Sequence, residues 1–371
     1  MKKSFGVLLV FVVVFTFKSQ AQFRKYSNEF LNIGAGARGL GMGNAQISFV
    51  DDATSGYWNP AGLAEIKDGP KAAVMHAEYF SGIAKYDYAT FATPVQNNKR
   101  VVGVSVLRFA VDDIPNTLFL VEPDGSINYN NIKSFSSSDY AMIFSIAQKV
   151  KETKNFTVNA GANAKIVYRR VGQFATAWGF GLDAGVQVRN KKWALGIFAK
   201  DISSTFNFWN FKFNDSEKEK LYLTKNNIPL NSTEQTAPRL VLGGGYNFIF
   251  SEKFKILAEA NVDATFDGEK NTILSGGGGV SLDPHVGLEV NIKDAFFIRA
   301  GVTNFQKALA DGDTLNQKKV WIYQPSLGAG FKIKKVHLDY AFTNLANQSN
   351  PLYTHVISLR LNFGKKADEE E

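Results

Sequence analysis

The sequence contains no cysteine, which excludes disulfide bonds, thiolate metal sites and cysteine nucleophiles. It also lacks any stretch of 18 uninterrupted apolar residues, so a membrane protein built from spanning helices is excluded. Basic and acidic residues are interspersed although the formal net charge is +8, and no Lys/Arg block suited to nucleic acid occurs. No nucleic-acid partner is therefore expected.

Residues suited to catalysis or metal binding are also sparse. The four histidines are His76, His285, His337 and His355, and none has a partner at metal-ligand spacing. No Gly-x-Ser-x-Gly elbow, HExxH helix or P-loop lysine occurs. We predict that the protein is not an enzyme and uses no cofactor and no metal.

The N-terminus has the form of a secretory signal peptide. Met1-Lys2-Lys3 is basic, Phe5 to Phe17 is mainly apolar, and Ser19-Gln20-Ala21 places small residues before a cleavage site. The apolar run is shorter than the roughly 20 residues that a spanning helix needs. We predict a signal peptide over residues 1–21, followed by a lead-in and an internal domain over residues 22–70.

The composition indicates where such an exported chain resides. Hydrophobic residues make up 45% of the sequence, which also holds 32 Gly, 31 Phe, 13 Tyr and 5 Trp. An exported chain rich in aromatic residues and glycine, without a spanning helix, is typical of an outer-membrane β-barrel. The alternative is a secreted soluble β protein.

Alternating apolar and polar residues fill the rest of the chain. In one run, Ala162 and Ala164 alternate with Asn163, so that one face suits lipid and the other suits water. Fourteen strands are predicted, at residues 72–80, 84–95, 100–110, 138–149, 155–170, 175–189, 192–204, 237–249, 253–265, 283–292, 295–304, 322–332, 335–344 and 353–363. The predicted barrel covers residues 71–364, and residues 365–371 form a charged periplasmic tail.

Connection lengths separate a barrel from a soluble sandwich. The even-numbered connections are all short, whereas the long ones, such as Val111–Ser137 and Asp201–Ala237, are odd-numbered. Short turns on one rim and long loops on the other are typical of an outer-membrane barrel. We therefore predict an all-β fold, a 14-stranded antiparallel transmembrane barrel with its C-terminus on the periplasmic rim.

A glycine-rich stretch over residues 34–63 precedes the strands and reads GAGARGLGMGNAQISFVDDATSGYWNPAGL. Its first three glycines match the dinucleotide-binding fingerprint, but no alternating strand-helix pattern follows. The glycines instead allow close backbone packing in a confined space. Wall side chains alone cannot fill a barrel of this size, so we predict that this stretch, hereafter the hatch, plugs the lumen. Its motif residues are Gly34, Gly36, Gly39, Gly41, Gly43, Asp51, Asp52, Trp58, Asn59, Pro60 and Gly62.

The hatch, with its Asp51-Asp52 pair and its Asn-Pro-Ala-Gly-Leu ending, resembles the N-terminal signature of the PorV/PorQ family of Bacteroidota outer-membrane proteins. That family is similar to the FadL-type fatty-acid channels, in which this region is a hatch inside the barrel. The resemblance covers about thirty residues. It implies a place in the outer membrane of a Gram-negative, Bacteroidota-like bacterium and work with the type IX secretion system.

Two further groups of residues are candidates for function. Charged residues on the water-facing side of the strands are predicted to face the lumen: Lys165, Arg169, Glu259, Asp263, Glu289 and Arg360. The cations Lys165, Arg169 and Arg360 are candidates to pair with Asp51 and Asp52. Apolar clusters in two predicted loops form a candidate partner or ligand surface: Phe206, Phe208, Trp209, Phe211, Phe213, Leu118 and Phe119. Alternatively, the seventh strand continues and its aromatic residues belong to an interfacial girdle.

The resemblance implies an outer-membrane component of the type IX secretion system. It would bind the translocon or exported cargo and help to pass cargo to surface attachment, with outer-membrane lipid around it. The alternative is a FadL-like channel that takes up hydrophobic small molecules, with Asn59-Pro60 in its gate and a lipid or other hydrophobic molecule as ligand. An open structural porin is disfavoured because the hatch would obstruct its pore.

Overall fold

The computed structural model describes residues 22–23, 27–96, 98–266, 272, 274–276, 279–309, 319–345 and 353–364. The predicted signal peptide and charged tail lie outside the described residues, so both stay predictions. Within the described part of the chain, no helix is both long and apolar enough to cross a membrane.

Strands make up most of the described chain. They are β1 Gln22–Phe23, β2 Lys71–Tyr79, β3 Ala84–Val95, β4 Arg100–Asn116, β5 Lys133–Glu152, β6 Thr157–Val171, β7 Ala175–Arg189, β8 Trp193–Lys200, β9 Thr205–Phe211, β10 Ser232–Thr236, β11 Arg239–Ser251, β12 Phe254–Thr265, β13 Leu274–Gly276, β14 Val280–Ile292, β15 Phe296–Leu309, β16 Lys319–Ile333, β17 Val336–Thr343 and β18 Thr354–Asn362. The helices are α1 Ala37–Gly41, α2 Ser55–Trp58 and α3 Asp215–Leu223, with 3-10 turns at Glu29–Asn32, Pro60–Glu65 and Tyr129–Asn131.

The sheet closes on itself as an antiparallel barrel. Neighbouring strands pair from β2 around to β18, and β18 pairs back with β2. Fourteen strand positions form the wall, namely β2 to β7, β8 with its continuation β9, β11, β12, and β14 to β18. Closure leaves no free sheet edge, which is the way a β protein satisfies its backbone in a membrane. The predicted 14-stranded transmembrane barrel with an internal hatch is confirmed.

The two rims differ in loop length as the sequence predicts. Short turns join β5 to β6, β7 to β8, β11 to β12 and β16 to β17 on one rim. On the opposite rim, residues 117–132 connect β4 to β5, and residues 212–231 with helix α3 connect β9 to β10. We call these the short-turn rim and the long-loop rim.

Alternation along each strand sorts side chains between the lumen and the outside. On β7, Trp178, Phe180 and Leu182 are each about half exposed on the outside, whereas Asp183 and Gln187 are buried inside. Since one face is apolar and the other polar, the barrel presents an apolar belt to lipid and encloses its polar groups.

The wall is interrupted once along its seventh strand position. The sequence predicts one strand over residues 192–204, but the structure has β8 and β9, separated by Asp201 and Ser204 with positive φ angles. Strand β7 pairs with β8 at one end and with β9 at the other. The interruption is bridged, because the Ile202 N–H donates to the Leu182 carbonyl at 2.9 Å.

Candidate functional site

The hatch folds as short helical turns joined by sharp bends. Gly43, between α1 and the following turn, has a φ angle of 60°, and a Cβ there would lie 2.7 Å from the Val302 nitrogen on β15. Asn59 is extended and accepts a hydrogen bond from the Ala61 N–H at 3.2 Å, and Pro60 opens the next 3-10 turn. Pro suits this first position because its fixed φ is helical and its missing N–H needs no partner.

Glycines on the lumen side of the wall let the hatch backbone approach closely. A Cβ on Gly301 of β15 would lie 2.1 Å from the Met42 carbonyl carbon, and one on Gly161 of β6 would lie 2.5 Å from the Pro60 carbonyl carbon. Real side chains cannot occupy such positions without moving the hatch. Similar approaches occur at Gly185, Gly196, Gly245, Gly287 and Gly328. The hatch is therefore fitted against the wall on most sides.

A chain of buried charges runs from the hatch through the wall and back. Arg38 donates to both Glu289 oxygens at 2.9 Å, and Arg299 donates to Glu289 at 2.6 Å and to Asp339 at 2.7 Å. Arg360 then donates to Asp339 at 2.9 Å and to Asp52 of the hatch at 2.7 Å. We call these three arginines and three carboxylates the ionic chain.

The two hatch aspartates have different environments. Asp52 accepts from Arg360 and from the Thr54 backbone N–H, the latter at 2.8 Å. Burial alone raises the pKa of Asp52, but the Arg360 charge and the Thr54 hydrogen bond outweigh it and hold that pKa below its usual range. Asp51 is about half exposed and pairs with Arg189 at 3.2 Å. Of the predicted partners for the pair, only Arg360 contacts either aspartate.

Aromatic side chains hold the opposite side of the hatch. The Tyr57 hydroxyl accepts from the Gly34 N–H at 2.8 Å and donates to the Leu31 carbonyl at 2.9 Å. Trp58 donates its indole N–H to the Ala35 carbonyl at 2.8 Å. Both rings belong to one apolar cluster, which includes residues of β2 to β6 such as Met75, Tyr86, Tyr88, Leu107, Ile143 and Val167.

The remaining motif residues lie in tight internal contacts. A Cβ on Gly39 would lie 2.5 Å from the Trp58 ring, and one on Gly62 would lie 2.3 Å from the Val50 carbonyl oxygen. Gly34 and Gly36 have positive φ angles, and the Gly41 position approaches Gly328 at 3.1 Å. The motif residues pack inside the barrel, where they shape the hatch.

All six predicted lumen charges lie on the inner face. Lys165 contacts Asp183 at 2.7 Å and Asp201 at 2.6 Å, and the latter carboxylate also accepts from the Thr205 hydroxyl. Arg169 donates to both oxygens of Asp139 at 2.9 and 3.1 Å. Each cation is neutralised locally, so these charges serve the wall and the hatch together.

The hatch also contacts the inner face of β12. Glu259 accepts from the Ser48 backbone N–H at 2.7 Å and from its hydroxyl at 2.5 Å. Asp263 accepts from Arg239 at 3.3 Å, and Arg239 also reaches Glu29 of the lead-in at 3.4 Å. These contacts add a third direction from which the hatch is held.

The aromatic cluster predicted as a loop surface is instead part of the wall. Phe206, Phe208, Trp209 and Phe211 belong to β9, and only Phe213 lies beyond it. Trp209 faces inward, where its indole N–H donates to Glu234 at 2.6 Å and its ring lies 5.2 Å from the Arg169 guanidinium. The strand continues because its pairing with β7 and β10 satisfies the backbone. The strand thus continues as the alternative predicts, but of these aromatic residues only Phe206 and Phe208 occupy outward positions on it.

The other predicted apolar cluster does lie in a loop. Leu118 and Phe119 are half-buried on the long-loop rim, and the Phe119 carbonyl accepts from the Asn131 side chain at 2.9 Å. The loop also contacts α3, because Lys220 donates to the Val121 carbonyl at 3.0 Å. Its most exposed apolar residues are Val121, Ile127 and Tyr129.

A cavity of about 600 Å³ lies between the hatch and the long-loop rim. Aromatic and aliphatic side chains form part of its lining: Phe30, Ile33, Leu40, Ile47, Tyr57, Trp58, Phe109, Phe198 and Val241. Polar and charged side chains are more numerous, among them Asp139, Arg169, Asp263, Asp283, His285, Gln306 and Gln324. Lys200 lies in the same cavity, donates to Asn32 at 2.8 Å and sits 5.4 Å from the Tyr57 ring centre. Among the described residues, no carboxylate lies within 4.0 Å of its ammonium group. We call this space the outer cavity.

A second cavity of about 320 Å³ lies on the other side of the hatch. Its lining includes Asn190 and Lys191 of a short turn, together with members of the ionic chain. The hatch thus separates a partly aromatic outer cavity from a charged inner one. Groups of three or more His, Asp or Glu side chains placed to hold a metal ion are absent from the described residues.

Sequence comparisons identify no relatives for this chain. No protein-family model matches it, and no curated protein does. The PorV/PorQ resemblance therefore has no support beyond the hatch motif itself.

Solved structures share the fold. The Pseudomonas putida toluene transporter TodX matches with a TM-score of 0.54 and 13% identity over 90% of this chain and 99% of that one. The CymD monoaromatic hydrocarbon channel matches with a TM-score of 0.51 and 14% identity over 90% and 98% of the two chains. The Ralstonia pickettii toluene transporter TbuX matches with a TM-score of 0.50 and 14% identity over 89% and 98%. At these identities the likeness shows that this chain shares their β-barrel fold.

Proposed function

We propose that the protein is an outer-membrane channel that takes up a hydrophobic small molecule through the outer cavity. The observation that carries this proposal is the cavity itself, about 600 Å³ in volume, with aromatic side chains on the hatch and the wall. Ligand pockets in proteins have volumes of roughly 300–1,000 Å³, and the outer cavity falls within that range. Its aromatic and aliphatic side chains offer contact to a hydrophobic molecule, and its polar side chains offer hydrogen bonds that would orient one. The named transporters of hydrocarbons with the same architecture support this ligand class.

The hatch decides how such a ligand passes. It is fitted against lumen glycines and held by the ionic chain, so removal of the whole hatch would expose many buried charges at once. Uncompensated buried charges are strongly destabilising. We therefore expect a ligand to pass by local movement beside the hatch while most of the hatch keeps its place.

Filling the outer cavity tests this function. Val241 is buried on the lumen side of β11 and lines the cavity, whereas the next residue, Leu242, is exposed on the outside. In purified, reconstituted protein, Val241→Phe should lower the affinity for toluene or for a long-chain fatty acid at least about tenfold, because the added ring occupies the binding volume. Leu242→Phe should leave both affinities unchanged.

The readouts are calorimetric binding and uptake into proteoliposomes of the same two probes. Binding of neither probe by the unmodified protein would refute the proposal. Equal effects of the two substitutions would also refute it, since the change would then not act through the outer cavity.

A second candidate function is a part in type IX secretion, as the hatch motif implies. The supporting observation is the long-loop rim, where Tyr129, Tyr222 and Leu230 are each more than 70% exposed. Large contiguous apolar patches mark protein–protein interaction sites, and these three side chains would contribute to such a patch on this rim. In this role the barrel would sit in the outer membrane with its short-turn rim and C-terminus toward the periplasm.

Affinity isolation from native outer membranes distinguishes the two functions. Recovery of translocon components or exported cargo with the barrel, lost when Tyr129 and Tyr222 are changed to Ser, would favour secretion. Recovery without such proteins, together with binding of toluene or a fatty acid, would favour the channel.

A further inference from the structure

The outside of β2 to β4 departs from the apolar belt found elsewhere on the barrel. On β7, the outward side chains are Trp178, Phe180, Leu182, Ala184, Val186 and Val188. On β2, the outward side chains are Ala72, Val74, His76 and Glu78. Only two outward positions on β2 are therefore apolar before charged or titratable groups begin.

The charged positions lie low on the barrel. His76 lies five residues from the end of its strand at the short-turn rim, and Asp87 and Arg108 each lie eight residues from that end of their strands. By the same count, Trp178 lies eleven residues and Tyr140 twelve residues from the short-turn rim. With a rise of about 3.3 Å per residue and a tilt of about 40°, the charged groups lie roughly 8–18 Å below the aromatic positions. The apolar belt of a typical barrel is only about 25 Å tall.

Ion pairs connect these charged groups to one another. His76 contacts Asp87 at 2.7 Å and Glu78 at 3.2 Å, Arg108 contacts Asp87 at 3.1 Å, and Lys85 contacts Asp112 at 3.0 Å. All six side chains are between 36% and 52% exposed on the outside of the wall. We call His76, Glu78, Lys85, Asp87, Arg108 and Asp112 the polar notch.

Contact between the polar notch and lipid acyl chains is energetically unfavourable. Charges that face hydrocarbon destabilise a barrel strongly near the bilayer midplane. Local thinning of the bilayer would have to be confined to three strands, while β5 to β7 beside them carry a full apolar belt. The bilayer would then have to change thickness over the width of a few strands. Each ångström of mismatch between the bilayer and the apolar height of the barrel costs free energy.

The charged groups of the polar notch indicate which kind of molecule binds to it. It holds three carboxylates and two permanent cations, and Glu78 has only His76 as an ion-pair partner among the described residues. While His76 is neutral, this acidic surplus repels the phosphates of lipid headgroups. It complements a polypeptide surface that carries lysine or arginine.

We propose that the polar notch is the docking surface for a second protein, whose contacting face is polar and carries basic side chains. This surface lies on the outside of the wall, away from the outer cavity, so the proposal does not depend on the function proposed above. The partner would shield the notch from lipid, and Glu78 would accept one of its cations.

Photo-crosslinking in cells that naturally make the protein tests the proposal. A benzophenone amino acid at Ala89, which faces outward just below Asp87 and leaves all six notch residues intact, reports on the notch. The same probe at Phe180, on the apolar belt of β7, is the control. We expect a covalent adduct with one other polypeptide from Ala89, mapped to a segment of that partner containing Lys or Arg, and none from Phe180.

Charge dependence separates specific docking from chance proximity. Glu78→Gln should reduce the Ala89 adduct at least about fivefold, whereas Glu152→Gln, at an exposed carboxylate near the short-turn rim, should not change it. Heat-modifiable migration would show that each variant is a folded barrel. An adduct only with lipid, an adduct only with a second copy of this chain, no adduct at all, or indifference to Glu78→Gln would each overturn the proposal.

Discussion

The hatch meets the barrel wall through two unlike contacts. Toward β2 to β6, Tyr57 and Trp58 lie in an apolar cluster with side chains of the wall. Toward β14 to β18, Arg38 and Asp52 are joined to the wall through the ionic chain. One side is held by burial of apolar surface, the other by charges that neutralise one another.

The two sides of the hatch should respond differently to substitutions. Apolar contacts are non-directional, so a change of one side chain can be absorbed by repacking of its neighbours. The ionic chain has fixed geometry and equal numbers of arginines and carboxylates, so loss of one member leaves one net buried charge without compensation. We infer that the aromatic side supplies much of the stabilising burial, whereas the ionic side fixes the position of the hatch.

The largest expected effect comes from the middle of the ionic chain. Arg299→Met should cost about 3–5 kcal/mol of unfolding free energy, because the two remaining arginines then face three buried carboxylates and one negative charge is left uncompensated. Unfolding in urea, followed by heat-modifiable migration, measures the loss.

Lys255→Met is the matched control for that change. The Lys255–Asp294 pair at 3.2 Å is partly exposed near the short-turn rim, so its loss should cost at most about 1 kcal/mol. Similar costs for the two substitutions would mean that the ionic chain does not act as a unit.

A smaller effect is expected where the hatch backbone touches a glycine. Gly301→Ala places a methyl group where the Met42 and Gly43 backbones now lie, and it should cost about 2–3 kcal/mol by overpacking. Gly244→Ala, whose Cβ would meet only the Leu195 side chain at 3.1 Å, should cost under about 1 kcal/mol. Equal tolerance at both positions would show that the hatch is loosely seated, and that the two-sided description is wrong.

The sequence predicts the barrel well because its signals are periodic. Alternation over strands as long as β6 and β7 fixes which face meets lipid, and the inward positions of Lys165, Glu259 and Arg360 follow from that parity alone. The even number of strands and the sorting of short and long loops follow from the same pattern.

The pairings inside the lumen could not be predicted in the same way. Parity shows that Arg299 and Asp339 face inward, but not that Arg38 and Asp52 would close the ionic chain, because that depends on where the hatch sits. A usable signal was missed at the lumen glycines, since Gly161, Gly185, Gly287 and Gly301 all occupy inward positions on their strands. The sequence leaves open whether residues 206–211 continue the seventh strand, because Asp201 to Ser204 break the alternation before them.

On the aromatic side, the expected effect of a single polar atom is smaller again. Tyr57→Phe removes the hydroxyl that joins the Gly34 N–H to the Leu31 carbonyl. It should cost about 1–2 kcal/mol because the Gly34 N–H is left buried without an acceptor, whereas the Leu31 carbonyl keeps the Lys200 ammonium at 3.1 Å. The ring stays in place, so the apolar cluster is kept. A cost as large as that of Arg299→Met would erase the distinction between the two sides.

The smallest effect is a dependence on pH that should be confined to acid. The Asp52 pKa is held below its usual range by Arg360 and Thr54, so its stabilising contribution is complete above the unfolded-state pKa of about 3.9 and is lost as the pH falls further. The difference in stability between the unmodified protein and Asp52→Asn should therefore be constant from about pH 8 to about pH 5 and should shrink only below about pH 4. Urea unfolding of both proteins across this pH range measures the difference in unfolding free energy. Contributions from carboxylates that both proteins share cancel in that difference. A difference that already declines near pH 6 would mean that Asp52 is not held in its charged form by the ionic chain, and the electrostatic account of that side would fail.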